Sequence, residues 1–315
     1  MNNASMTNAL KKWAEERGCL ITWSDAKVVS EVQLDFQRRR ETGQLSEYLY
    51  RQNLRAFTYL NGSGLPNAKT VVVISMPRPA HKVEFKTAGG VFQVIVPPTY
   101  RWYKETRESV RCDLEVGPLK GESRIVILGA PLKALAARLG LVTYGRNNIT
   151  YTPEFGSYHQ LIAFLTDAEL EPLADPKADA TQISTKCKRC TACLAACPTG
   201  AIRPDRFMID PERCVTLHSE NLGLWPSWLP ASAHNCIIGC MICQEVCPQN
   251  SGLLRVEPPV VSFDEDETAT ILANTEDQDR SGPTWDAIRA KFRSAGLADL
   301  DEVVSRNLRA LLAKP

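Results

Sequence analysis

Nine of the chain's eleven cysteines fall between positions 187 and 247, and their spacing is the strongest chemical signal in the sequence. The first run is Cys187, Cys190, Cys193 and Cys197 followed by Pro198; the second is Cys240, Cys243 and Cys247 followed by Pro248, with Cys214 upstream. Two-residue gaps let successive thiolates curl around one face of a four-iron, four-sulfur cube, with intervening backbone N–H groups available to its sulfides. The fourth cysteine of such a run, followed by proline, turns away and ligates the other cluster. Crossing the fourth ligands predicts one [4Fe-4S] cluster on Cys187, Cys190, Cys193 and Cys247, and another on Cys197, Cys214, Cys240 and Cys243. Structural zinc also uses paired cysteines. Four ligands per zinc leave the third cysteine of the first run and both Cys-Pro endings unexplained. Cys236 is a spare that could replace Cys214, but it reads better as a small buried residue beside a cluster. Cys19 and Cys112 are isolated and read as structural. Ile202, Phe207, Ile237, Ile238 and Ile242 are expected to form the dry shell that tunes cluster potentials.

Two clusters in one small region form a wire, and a wire needs an acceptor at its end. The roughly 180 residues before the clusters are too many for a simple ferredoxin, so the acceptor is expected there. Elements alternate in that stretch. Residues 5–18 and 28–41 have helical periodicity, and Pro131 opens a helix over 132–139 closed by Gly140. The apolar β-branched run from Val71 to Met76, stopped by Pro77, reads as a buried strand. Phe92–Val96, Arg124–Leu128 and Leu161–Leu165 are further strand candidates. The fold class expected is therefore α/β: an N-terminal α/β domain over 1–178, a two-cluster ferredoxin-like domain over 179–256, and an acidic linker with a short helical tail over 257–315. In the tail, Ile288, Phe292, Val303, Val304, Leu308 and Leu311 recur at helical spacing.

Composition excludes little. Hydrophobic residues make up 44% and charged residues 23%, an ordinary globular balance, and the net charge is +1. No global charge draws the chain to nucleic acid or membrane. No signal-like apolar segment opens the chain and no run of about 18 apolar residues occurs, so a cytoplasmic protein without a membrane partner is expected. Cysteine crowding in that setting points to metal rather than disulfides.

The ordered motifs, with Arg213-Cys214 between them and Gly239-Cys240-Met241-Ile242-Cys243-Gln244-Glu245-Val246-Cys247-Pro248-Gln249-Asn250 at the end, resemble epoxyqueuosine reductase. That family makes the last reduction in synthesis of the tRNA base queuosine, using cobalamin and two four-iron clusters. Leu65-Pro66-Asn67-Ala68-Lys69-Thr70 looks like its lead into the first sheet strand, and Arg306-Asn307-Leu308 like an element of its C-terminal helix. Gly145-Arg146-Asn147-Asn148 and Thr152-Pro153-Glu154-Phe155-Gly156-Ser157 are similar to the segment lining the corrinoid, a segment shared with reductive dehalogenases. The resemblance implies that the N-terminal domain binds a corrinoid, with Gly145, Arg146, Asn147, Asn148, Thr152, Phe155, Gly156 and Ser157 as its contacts. Glycines there permit close approach, and Asn147, Asn148, Thr152 and Ser157 offer hydrogen bonds. The bland reading of the same residues is a glycine-rich loop entering a strand. His159 reads as a pocket-wall or surface histidine, because the family binds cobalamin without a protein ligand below the cobalt.

The chain departs from the family where the chemistry is most specific. The family's proton donor is the aspartate of an Asp-x-Ala-Pro stretch, and here the stretch is Leu128-Gly129-Ala130-Pro131. A leucine cannot donate a proton. The family's Asp-Tyr-His element is replaced by Thr99-Tyr100-Arg101-Trp102-Tyr103-Lys104. Reductive dehalogenases use a tyrosine beside a cation, so Tyr100 and Tyr103, with Arg101 or Lys104, are candidate proton donors. The alternative is a basic amphipathic helix carrying Lys104, Arg107 and Arg111. The function expected is a cobalamin-dependent reductase. It would take electrons from a donor such as a flavodoxin or ferredoxin and act on tRNA epoxyqueuosine or a small organic molecule. The alternative is a non-catalytic electron-transfer or corrinoid-reactivating protein, which would need no acid.

Overall fold

The run at Val71 forms the strand Thr70–Pro77 in a computed structural model that describes residues 3–100, 103–121, 123–178, 183–273, 280–298 and 300–313. The strand lies within a four-stranded antiparallel sheet, ordered Leu20–Asp25, Thr70–Pro77, His159–Thr166, Ile125–Ile127. Successive side chains point to opposite faces, and helices cover both. On one face Val72, Ile74, Ile162 and Phe164 pack with Leu10 and Trp13 of the helix Asn3–Glu16 and Val110 and Leu114 of the helix Tyr103–Val116. On the other, Val71, Val73, Ala163 and Leu165 meet Val28, Val29 and Val32 of the helix Lys27–Glu41 and Leu135 and Ala136 of the helix Leu132–Arg138. Two covered faces explain why the central strands read as continuous apolar runs rather than alternating ones. The expected α/β layering is present. Gly140 ends its helix at φ +75°, where a glycine carries no Cβ penalty.

Contacts divide the chain into two compact units. The first comprises Met1–Pro77, Lys104–Cys190 and Arg203–Ile209; the second comprises Arg78–Tyr103, Thr191–Ile202 and Asp210–Pro315. The second unit has a three-stranded sheet in the order Gly90–Val96, Ala80–Thr87, Val256–Phe263. Its last strand contains Pro258-Pro259. The parallel register steps from His81↔Glu257 to Lys82↔Pro259 to Val83↔Val261, so the ladder is irregular at the residues that lack an N–H.

The acidic run after this strand starts the helix Glu265–Ala273. Asp264 accepts from the Glu267 N–H and Glu267 from the Asp264 N–H, both at 2.9 Å, a reciprocal capping box. The helices Pro283–Ser294 and Asp301–Leu312 bury Ile288, Phe292, Val304 and Leu308 against Val83, Phe85 and Phe263, as their periodicity predicts. The cysteine-bearing segments run between these elements as loops with short turns at Ala192–Ala196, Val215–Glu220 and Ile242–Glu245. Among the described residues no helix is long and apolar enough to cross a membrane.

Candidate metal centre

None of the eleven cysteines forms a disulfide. Cys197, Cys214 and Cys240, all in the second unit, lie near enough for their charges to act on one another. Burial pushes the Cys214 thiol up, and the Cys197 sulfur adds to this, against hydrogen bonds from the Thr216 N–H and hydroxyl and the Leu217 N–H. Burial likewise pushes Cys240 up, aided by Cys214 and Cys197 and opposed by Asn235 and the Ile242 N–H. At Cys197 burial acts upward too, but backbone N–H groups of Thr199, Ala201 and Ile202 and the Thr199 hydroxyl outweigh it, and the net shift is down. Three neighbouring sulfurs met by backbone N–H donors suit a group that takes several thiolates at once.

Cys197, Cys214 and Cys240 are half-buried, and the residues next to them in the chain are largely apolar. Ile237, Ile238 and Met241 are each 0% exposed and Ile202 is 6% exposed, while Ile242 is only partly buried. Phe207 belongs to the first unit, which also holds Cys187 and Cys190, and meets Tyr144 edge to face at 4.9 Å. Cys236 is buried and its thiol donates to Asn235 Oδ1 at 3.1 Å, consistent with a residue beside the centre. Cys187 and Cys193 are also buried; Cys190, Cys243 and Cys247 are half-buried.

Two supports of this centre have no local motif. Asn235 donates Nδ2–H to Cys240 Sγ at 3.1 Å and to the Ala233 carbonyl at 2.8 Å, and accepts the Met241 N–H at 2.8 Å. From the C-terminal helix, Asn307 Nδ2 donates to the carbonyls of Ser219 at 2.9 Å and Ile237 at 2.8 Å. Arg306 donates to the carbonyls of His218 at 2.6 Å, Asn221 at 2.9 Å and Gly223, and its guanidinium lies over the Trp225 ring. Ser219 Oγ in turn accepts the Gly239 N–H at 2.7 Å, directly before Cys240.

Tyr100 belongs to this neighbourhood. Its hydroxyl donates to Glu220, and it packs so closely on Gly239 that a Cβ there would lie 2.6 Å from the phenol oxygen. Burial, then Glu220, then the Cys236 and Cys214 sulfurs push the phenol well above its ordinary range. The hydrogen-bond partner of the Tyr100 hydroxyl is thus a carboxylate. Tyr103 opens the helix Tyr103–Val116, on which Arg111 pairs with Glu108 and Glu115, both at 2.9 Å. Arg101 lies outside the described residues.

In the first unit, residues 143–157 form a small hairpin in which Thr143–Tyr144 pairs with Thr150–Tyr151 and Thr152 with Gly156. Asn147 Nδ2 donates to the Tyr151 hydroxyl at 2.8 Å while its Oδ1 accepts the Ile149 N–H at 3.3 Å, and Thr152 Oγ1 accepts the Phe155 N–H at 3.0 Å. Gly145 is required by the hairpin itself: a Cβ would meet Asn147 Oδ1 and Tyr151 Cε2 at 2.6 Å. Asn148 is buried at φ +58° and its carbonyl accepts from Lys133, while Gly156 and Ser157 are buried and Phe155 half-buried. Arg146 donates to the carbonyls of Cys187 at 2.8 Å and Cys190 at 3.3 Å, and so holds the first CxxC loop.

His159, 4% exposed, is interior to the sheet: Nδ1 lies 2.9 Å from Ser75 Oγ and Nε2 3.1 Å from the Thr150 carbonyl. The carbonyl can only accept, so Nε2 carries the proton. Leu128, standing where the family has its acid, is 1% exposed in the core.

A family model described as "4Fe-4S double cluster binding domain" matches residues 186–250. Epoxyqueuosine reductases of Bacillus subtilis (strain 168) and Synechococcus sp. (strain RCC307) are 27% and 36% identical, over 60% and 48% of this chain and 49% and 41% of theirs. The chain thus matches half or less of the length of these curated relatives. Solved structures of the enzyme from Bacillus subtilis and Streptococcus thermophilus superpose with TM-scores of 0.71 and 0.68. They share 23% and 20% identity, covering 99% and 98% of this chain and 82% and 80% of theirs. Another such structure, described as holding a tRNA-Tyr epoxyqueuosine-modified stem loop, has a TM-score of 0.69 at 21% identity over 99% of this chain and 82% of that one. Residues 186–250 are a 4Fe-4S cluster binding domain, in a chain similar in sequence to the epoxyqueuosine reductases and built on their fold.

Proposed function

We propose that the protein is an iron–sulfur oxidoreductase of the epoxyqueuosine reductase type, carrying two [4Fe-4S] clusters and passing electrons from them to a bound acceptor. The observation that carries this is the gathering of Cys197, Cys214 and Cys240, half-buried beside apolar residues, with backbone N–H groups turned to their sulfurs. With Cys243 they are the proposed ligands of one cluster; spacing assigns Cys187, Cys190, Cys193 and Cys247 to the other. The clusters would supply one-electron steps. The chain's own residues hold the sulfurs, exclude water through Ile237, Ile238 and Met241, and keep the Tyr100 phenol protonated beside Glu220.

The substrate proposed is an epoxyqueuosine-bearing tRNA stem loop, on the likeness to the structure that holds one; a small organic substrate is the competing class. A flavodoxin- or ferredoxin-like donor fits the one-electron chemistry.

The resemblance also implies a corrinoid. The side chains that the sequence offers it most directly, Asn147 and Thr152, each make a hydrogen bond inside their own hairpin, and the Thr152 hydroxyl, which accepts there, keeps its own proton to donate. The cluster reading stands without it, and cobalamin uptake is a separate measurement.

Anaerobic reconstitution followed by iron, acid-labile sulfide and visible spectra tests the proposal. About eight irons and eight sulfides per chain are expected from two four-iron clusters, with reduction of an epoxyqueuosine stem loop. Colourless protein holding zinc refutes the cluster reading. Full clusters without turnover on the stem loop or small epoxides would make the protein an electron carrier. Tyr100→Phe and Tyr103→Phe that leave turnover unchanged would remove both as donors.

A further inference from the structure

The side-chain amide of Asn235 has one orientation. The Ala233 carbonyl can only accept and the Met241 N–H can only donate, so Nδ2 must face the first, at 2.8 Å, and Oδ1 the second, at 2.8 Å. The remaining N–H is thereby turned to Cys240 Sγ at 3.1 Å. The Cys236 thiol adds a second donor to Oδ1 at 3.1 Å and holds the carboxamide from the other side. All these groups lie in the second unit, with Ile237, Ile238 and Met241 fully buried around them.

A hydrogen bond to a ligating sulfur stabilises the state with more negative charge, and one-electron reduction of a cluster adds such charge. The bond is part-buried, so solvent screens it less than it would a bond on the open surface. We propose that Asn235 is a positioning residue that sets the reduction potential of the cluster held by Cys197, Cys214, Cys240 and Cys243, raising it above that of an otherwise equal site. The proposal rests on the cluster reading above. It gives the chain a device for separating the potentials of its two clusters, and hence a direction for electron flow.

Redox titration followed by electron paramagnetic resonance on the reconstituted full chain tests it. Asn235→Asp keeps an oxygen for the Met241 N–H but removes the donor to sulfur; Asn235→Ala removes both. Both variants should shift the potential of one cluster to more negative values and leave the other cluster's potential and the iron content unchanged. Cys236→Ala, which leaves the amide bond to Cys240 in place, should leave both potentials unshifted. Unshifted potentials in Asn235→Asp and Asn235→Ala at full iron content overturn the inference while the clusters stand. Loss of one cluster from both variants also overturns it, in favour of a purely structural role. Absence of iron and sulfide from the wild-type chain would instead remove the reading on which it rests.

Discussion

Replacing Asn307 with leucine removes a carboxamide from the interior without changing side-chain volume greatly. The amide is 2% exposed and donates to the Ser219 and Ile237 carbonyls at 2.9 and 2.8 Å. Each buried acceptor left without its donor costs about 1–3 kcal/mol. A carbonyl keeps a second lone pair and tolerates under-satisfaction better than an N–H, so the lower part of the summed range applies, about 2–4 kcal/mol. With a urea dependence of about 2 kcal/mol per molar, the middle of the usual span, the unfolding midpoint should fall by about 1–2 M in anaerobic titrations followed by circular dichroism. The loss reaches the centre as well, because Ser219 holds the Gly239 N–H in front of Cys240; iron should leave the variant faster under a chelator. A destabilisation below about 1 kcal/mol, with wild-type iron retention, would refute the claim that the C-terminal helix clamps the cysteine loops.

Gly239→Ala should destabilise by at least about 1–3 kcal/mol, since position 239 is at φ +71° and a Cβ would lie 2.6 Å from the Tyr100 oxygen; thermal unfolding reads it, and a wild-type midpoint contradicts the packing. Arg146→Ala should loosen the Cys187 and Cys190 carbonyls and speed loss of about half the iron to a chelator, whereas unchanged release would leave Arg146 no part in holding that loop. Burial lowers the His159 imidazole below its ordinary 6.5, against the pull of the Thr150 carbonyl. The unfolded chain then binds a proton that the folded chain refuses, so stability is full above pH 6.5 and falls as acid is added below it. His159→Gln should flatten that fall between about pH 7 and pH 5, and an unchanged slope would contradict the neutral, buried state.

What could be read from the residues alone was whatever depends on neighbours in the chain. Cysteine gaps are local, so the metal chemistry was legible; the buried strands at Val71 and Leu161 were legible because both faces of their sheet are covered. Leu20–Asp25 mixes polar and apolar residues, and Ala80–Thr87 carries charges that face outward, so neither shows a continuous run. The proline pair at 258–259 lies within Val256–Phe263, where irregular register takes up the missing N–H groups. Distance along the chain also hid function. Asn307 lies 88 and 70 positions from the carbonyls it holds, and Tyr100 lies 120 from Glu220, so residue type announced a hydrogen-bonding group but not its partner.

The same limit governs the two halves of the proposed activity. Thiolates that bind a cluster must present sulfur and little else, and sequence spacing nearly suffices to find them. A proton donor is defined by what surrounds it. Tyr100 has the right chemistry on paper, but burial first, and then the Glu220 carboxylate, raise its phenol well above its ordinary range. A phenol so placed resists giving up its proton, and its bond to Glu220 ties it to the helix Val215–Glu220 that follows Cys214. The geometry therefore makes Tyr100 part of the wall that supports the segment after Cys214, and the Tyr100→Phe and Tyr103→Phe turnover measurements decide whether either phenol also serves as an acid.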